Sequence, residues 1–106
     1  FADFDEKAAK KNLKAAALEP LQEMLAQFSV IDNWQGEALH QIVLDVAEKL
    51  ELKLGKVAQP LRVAVTGAGM SPSIDITLEL IGRERCLDRI NKAIVYIENR
   101  VAQQQQ

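Results

Sequence analysis

The sequence predicts an all-α fold, a multi-helix bundle, and two features indicate it. Apolar residues recur at the three- and four-residue spacing that gives a helix one buried face. Glycine and proline stand close to the ends of these apolar segments, where helices start and stop. The chain has 106 residues, 48% of them apolar, so it is expected to form a single domain with one modest core.

The first half of the chain contains three helical segments. Asp5 is a candidate N-cap for the first helix. Residues 14–19 are expected to form a short connection, with Pro20 in the first turn of the second helix. A turn over residues 29–33 precedes a third helix over about residues 35–50. Two stripes are predicted to be buried, and they consist of Leu21, Met24, Leu25 and Phe28, followed by Leu39, Ile42, Val43, Val46, Ala47 and Leu50.

Residues 54–85 contain the densest cluster of helix starts and stops. Pro60 is placed to open a helix, because its missing N–H costs nothing in a first turn. Gly67 is placed to close that helix, since glycine accepts the left-handed conformation of a C-terminal cap. The β-branched residues between them would also suit a strand. The flanking proline and glycine favour a short buried helix.

A second short helix is predicted to follow. Ser71 and Pro72 are typical of an N-cap and a first helical residue, and Gly82 would close the helix. The two short helices would then be joined by a tight loop over residues 67–70. Helical spacing continues to the last apolar positions of the chain, which are Ile74, Leu78 and Ile81 before Gly82 and Leu87, Ile90, Ile94 and Ile97 after it. The domain is therefore assigned to residues 1–102, and residues 103–106 are expected to be a disordered polar tail.

Charge is distributed unequally along the chain. The formal net charge is −2, but residues 1–53 carry −4 and residues 54–106 carry +2. All the arginines lie in the second half. Guanidinium groups match phosphates and base edges better than ammonium groups do, so the asymmetry points to a surface for a partner. An unequally charged solvated surface is the other interpretation.

Several functional classes are disfavoured by the sequence. The apolar runs are too short for a membrane span, and the acidic first residues have the wrong charge for a secretory signal, so we expect a cytoplasmic protein. No catalytic nucleophile has a credible orienting partner, and no metal-ligand spacing is present. Cys86 and Trp34 are expected to pack in the core, although Trp34 could instead stack on a base. His40 has no partners for ligation or catalysis.

The chain resembles a known family over most of its length. The segment KLGKVAQPLRVAVTG, followed by SP, an apolar run and LIGRER, resembles the C-terminal anticodon-binding region of bacterial glutamate–tRNA ligases, which are class I aminoacyl-tRNA synthetases. FDEKAAKKNL and RINKAI extend the resemblance in both directions. The resemblance implies an all-helical fold and decides the segment after Pro60 in favour of a helix.

The resemblance also implies a function. The intact enzyme would join glutamate to tRNA with ATP and magnesium, and this part would hold the anticodon loop. The HIGH and KMSKS motifs that bind ATP in class I synthetases are missing, so no cofactor and no activity are expected for this chain alone. We expect it to be a monomer.

Particular residues match the family's positions for holding unstacked anticodon bases. They are Arg62, Ser71, Pro72 and Ile74, with Lys56, Arg83 and Arg85 as candidate contacts to the RNA backbone. Arginine can hydrogen-bond or stack on a base, and N–H groups at a helix start can read a base edge. Asp75 departs from the apolar or aromatic residue that the family often has there, and its charge would repel phosphates. The alternative function is a small helical protein–protein interaction module without RNA binding.

Overall fold

A computed structural model of the chain describes residue 4 and residues 6–67 and 73–104. These residues form six helices and no strand, which confirms the all-α prediction. The helices are α1 (Glu6–Asn12), α2 (Ala15–Val30), α3 (Gly36–Lys49), α4 (Leu54–Thr66), α5 (Ile74–Ile81) and α6 (Arg83–Gln104). None of the helices in the described ranges is long and apolar enough to cross a bilayer.

Helix α4 occupies the centre of the bundle. It packs against each of the other five helices, and its three valines and Leu61 are buried. A helix surrounded in this way has to be apolar around most of its circumference. The β-branched residues of this segment would also suit a strand, but here they fill the apolar surface that a central helix requires. The prediction of a helix after Pro60 is confirmed.

The positions of two prolines were predicted wrongly. Pro20 lies inside α2 and Pro60 lies inside α4, and both are buried. Helix α2 begins five residues before Pro20, in a run of good helix formers, and α4 begins six residues before Pro60. An interior proline removes one backbone hydrogen bond and costs about 3 kcal/mol in an isolated helix. Tertiary packing of the buried ring offsets that cost here.

Two glycines end helices as predicted. Gly67 caps α4 with φ of 83° and donates its N–H to the carbonyl of Val63 at 2.8 Å. Gly82 caps α5 with φ of 91° and donates to the carbonyl of Leu78 at 3.0 Å. Helix α5 begins at Ile74 with Ser73 as its N-cap, two residues later than predicted. Ser71 and Pro72, the predicted cap and first residue, lie outside the described residues.

Three arginines of α6 join the ends of other helices to the bundle. Arg83 donates to the carbonyl of Ile31 just after α2, and Arg89 donates to the carbonyl of Val65 in the last turn of α4, at 2.7 Å. The Nη1 atom of Arg100 lies 3.0–3.4 Å from three carbonyl oxygens at the end of α1. Helix C-termini carry unpaired carbonyls and a partial negative charge, which a cation stabilises. Three of the five arginines in the second half of the chain therefore donate hydrogen bonds to backbone carbonyls within the fold. The sequence alone does not distinguish this use from a surface for a partner.

The core confirms the predicted apolar stripes, with small differences at their edges. Leu25, Ile42, Leu50, Ile81 and Leu87 are partly exposed, whereas the other predicted positions are buried. Cys86 is fully buried, as predicted. Helix α6 continues to Gln104, two residues past the predicted domain boundary.

The conformation of Gly82 predicts the effect of an alanine there. Its φ of 91° and ψ of 159° lie in a region that only glycine adopts readily. We expect Gly82→Ala to lower the free energy of unfolding by about 1–3 kcal/mol through backbone strain alone, since an added Cβ meets no atom within 4 Å. Gly55→Ala, also into open space but within α4, should be neutral or stabilising by up to about 1 kcal/mol. Urea unfolding measures both, and equal stabilities would contradict the prediction.

The Arg100 contacts predict a loss of stability when the guanidinium is removed. Arg100→Met keeps much of the aliphatic stem and removes the donors to the end of α1, so we expect a loss of about 1–3 kcal/mol in urea unfolding. The matched control is Lys92→Met on the same helix, whose exposed ion pair with Asp88 spans 3.1 Å. That control should change the free energy of unfolding by less than about 0.5 kcal/mol. Equal effects of the two substitutions would show that Arg100 does not stabilise the end of α1.

Candidate functional site

Arg62 lies on the one polar stripe of the central helix. Lys56, Gln59, Arg62 and Thr66 are spaced three or four residues apart, so they share one face of α4 and follow it to Gly67. The Nη1 atom of Arg62 donates to the Oε1 atom of Gln59 at 2.7 Å. This contact holds the half-buried guanidinium along the helix surface, close to the end where the predicted loop follows.

Of the other predicted base contacts, Ile74 alone lies within the described residues. Ile74 is only 6% exposed and belongs to the hydrophobic core, so its side chain has almost no area to offer to a base in this structure. Apolar spacing had already assigned Ile74 to the core, and burial is the role that the structure supports. Ser71 and Pro72 lie outside the described residues, so their predicted contacts remain predictions.

The start of α5 already carries a negative group. The pKa of Asp75 lies below its ordinary value, chiefly because the side chain of Ser73 hydrogen-bonds to its carboxylate. The backbone N–H groups of Ile76 and of Asp75 itself also donate to this carboxylate. An anion at a helix N-terminus is favoured by the free N–H groups and the helix dipole. Some of the N–H groups at the helix start that were predicted to read a base edge thus donate to Asp75 instead.

The three candidate contacts to the RNA backbone differ in their surroundings. Lys56 in the first turn of α4 and Arg85 in the first turn of α6 are exposed. Arg83 is half-buried, and besides its bond to Ile31 its guanidinium carbon lies 5.7 Å from the centre of the Trp34 ring. A cation over an indole face is attracted by the ring electrons. The structure therefore gives Arg83 a role in the fold that was not predicted.

Trp34 anchors α5 to the turn between α2 and α3. Its Nε1 atom donates to the carbonyl of Leu78 at 2.9 Å, and its ring meets the edge of Phe28 with 5.6 Å between the centres. The predicted packing of Trp34 is confirmed, since its partly buried side chain lies against the core. In a second link, the N–H of Gly36 donates to the Oε2 atom of Glu79 in α5 at 2.7 Å. A Cβ added at Gly36 would lie only 2.9 Å from the same Oε2 atom, so the close approach suits glycine.

Sequence reasoning missed both links, because each joins residues more than 40 positions apart. One local signal was present. Gln35 stands at the N-cap of α3 and makes no side-chain cap hydrogen bond, so the N–H groups of that helix need another acceptor. Glu79 supplies it from α5.

The described residues offer little for catalysis. No three His, Cys, Asp or Glu side chains within residues 4, 6–67 and 73–104 are grouped closely enough to hold a metal ion. Burial raises the pKa of the Cys86 thiol to about 12, and its Sγ atom lies 3.6 Å from the carbonyl oxygen of Leu78. A thiol that stays protonated is a poor nucleophile.

The buried thiol predicts slow chemistry in the folded chain. At pH 9 an ordinary cysteine of pKa 9.0 is half ionised, whereas folded Cys86 stays protonated. Because the thiolate is the reactive form, we expect Cys86 to react with iodoacetamide only after unfolding. The raised pKa also means that its contribution to stability is complete below pH 9 and is lost between pH 9 and 12, because the unfolded chain gives up the proton first. Mass spectrometry of alkylation with and without urea measures the first effect. Equal rates would contradict the burial of Cys86.

Known proteins resemble the chain in sequence and in structure. A model of a family described as anticodon binding domain matches residues 1–94. A glutamate tRNA ligase from Elizabethkingia meningosepticum, solved in complex with its amino acid, is 34% identical with a TM-score of 0.84, and the match covers 92% of this chain and 19% of that one. Glutamate-tRNA synthetase from Elizabethkingia anophelis is 35% identical with a TM-score of 0.73, over 89% of this chain and 18% of that one. The chain thus spans about a fifth of the length of these two enzymes.

Proposed function

We propose that this chain, which belongs to the family of anticodon-binding domains, contacts the anticodon loop of glutamate tRNA as part of a glutamate–tRNA ligase. The observation that carries the proposal is the family match over residues 1–94. Two solved ligases that share about a third of its residues, at TM-scores of 0.84 and 0.73, support the same assignment. The family match also favours RNA recognition over the alternative of a protein–protein interaction module.

Within this proposal, Arg62 is the residue best placed to contact a base. Gln59 holds its guanidinium in one orientation, which lowers the entropy cost of forming a directed contact. Planar donors can pair with a base edge or stack on an unpaired base. Ser71 and Pro72, which follow α4 in the sequence, would complete the contact, and Lys56 and Arg85 would meet the RNA backbone.

The remaining steps of the reaction belong to other parts of the proposed ligase. ATP and magnesium would bind there, since this chain contains neither the HIGH nor the KMSKS sequence. We propose that the chain alone is a monomer without aminoacylation or ATP–pyrophosphate exchange activity and that the ligase is cytoplasmic. The measurement is ATP–pyrophosphate exchange by the purified chain, compared with a mock preparation carried through the same purification. Exchange above that control would show that this chain itself carries part of the catalytic site.

The orientation of Arg62 predicts a loss of base discrimination when it is replaced. We expect Arg62→Ala to weaken binding of an anticodon stem-loop with the loop letters UUC by about 1–3 kcal/mol, and to weaken binding of a scrambled loop by less. Fluorescence anisotropy with the 106-residue chain measures both RNAs.

Lys10→Ala is the control for Arg62→Ala. Lys10 is exposed on α1 and pairs with Glu6 at 3.6 Å, so its loss should affect both RNAs slightly and equally. Circular dichroism and urea unfolding establish that both variants are folded. Equal losses for the two RNAs in Arg62→Ala would assign Arg62 to general electrostatic attraction.

A further inference from the structure

A groove lies where the junction of α1 and α2 faces the start of α4. Its volume is about 610 Å³, and four lysines surround it. The groove, called the lysine groove below, is lined by Lys11, Asn12, Lys14, Ala16, Ala17, Leu52, Lys53, Gly55, Lys56, Gln59 and Pro60. The four lysines are exposed, and the other lining residues are uncharged.

The lysines of the groove are not neutralised within the described part of the chain. Lys10, Lys49 and Lys92 form ion pairs with Glu6, Glu23 and Asp88, whereas the four groove lysines form no such pair there. No acidic residue is among those that line the groove. Four like charges around one concave surface concentrate a positive potential, although the whole chain has a net charge of −2.

Two helix N-termini add to this potential. Lys14 is the N-cap of α2 and Lys53 is the N-cap of α4, and neither makes a side-chain cap hydrogen bond. Both helices also lack an acidic residue in the first turn, whereas α1, α3, α5 and α6 each have one. The positive ends of α2 and α4 are therefore not compensated by nearby carboxylates of their own first turns. The lysines and the helix ends attract the same kind of ligand, an anion.

The polar stripe of α4 connects the groove to Arg62. Gln59 lines the groove and also accepts the hydrogen bond from Arg62. From Lys56 to Thr66 the helix rises by about 15 Å, at 1.5 Å per residue. A nucleic-acid strand that lies along this stripe would bring its phosphates to the groove while its bases reach Arg62.

We propose that the lysine groove binds the sugar–phosphate backbone of the RNA whose bases are read near Arg62. This inference rests on the proposed function and extends the backbone contact proposed at Lys56 to a region of four lysines without base preference. Of its four lysines, only Lys56 was predicted to contact RNA. Lys53 is three residues away on the same segment, whereas Lys11 and Lys14 lie 45 and 42 residues before Lys56 in the chain.

The test compares two double variants that each lose two positive charges, one within the groove and one outside it. The groove variant is Lys53→Gln with Lys56→Gln. The control is Lys49→Gln with Lys92→Gln, which removes two lysines that are held in ion pairs outside the groove. Affinity of the 106-residue chain for the UUC stem-loop and for the scrambled stem-loop is measured over a range of salt concentrations, and circular dichroism establishes that each variant is folded.

The groove variant should bind both RNAs more weakly by the same factor. The slope of log affinity against log salt concentration should fall by about 0.7 for each single-strand phosphate that the protein no longer neutralises. The control variant should keep a slope closer to that of the unchanged chain. These three results together would support the proposal.

Other outcomes would overturn it, and they separate it from the proposed function. If the groove variant matches its control while the unchanged chain still prefers UUC, the groove is not a contact region and anticodon recognition stands. If the groove variant loses affinity only for UUC, the groove reads bases rather than phosphates. If the unchanged chain binds both RNAs equally and the groove variant weakens both, the backbone contact stands and anticodon recognition fails. No binding of either RNA by the folded chain would overturn both.

Discussion

The central position of α4 constrains what the rest of the chain can do. The other five helices all pack on it, so most of its circumference is apolar and buried. Only the stripe of Lys56, Gln59, Arg62 and Thr66 keeps polar side chains. The polar side chains that α4 can offer to a partner lie along this stripe, which runs up to Gly67, where the predicted loop begins. The packing of the core therefore also decides where a binding surface can lie.

The arginines of α6 show how one residue type serves structure and charge together. Arg83, Arg89 and Arg100 each donate to a carbonyl at or just after the end of another helix. Short helices gain little from their own backbone hydrogen bonds, and α1 has only seven residues. A guanidinium that satisfies its last carbonyls ties such a helix to the bundle. Counting arginines along the sequence cannot distinguish this use from a nucleic-acid surface, because the acceptors are distant in the chain.

Patterns among residues close in sequence were enough to predict most of the fold, but they predicted little of the candidate site. Apolar spacing and the two capping glycines depend on residues within one or two turns, and these predictions were confirmed. The prolines were misplaced because tertiary packing outweighs the preference for a first turn. The link from Trp34 to Leu78, the cap from Glu79 to Gly36 and the lysine groove all join separate segments. Nothing in the spacing of those segments indicates that they meet.

In the proposed complex, the charges near α4 and those at the start of α5 would act differently on RNA. At the N-terminal end of α4 four lysines and two uncompensated helix ends attract phosphates. Asp75, eight residues after Gly67 in the sequence, has a carboxylate whose pKa is lowered. A phosphate near Asp75 would be repelled, whereas a neutral base would not. In the proposed complex, the charges thus favour a bound strand with its backbone at the groove and with bases, not phosphates, near Asp75.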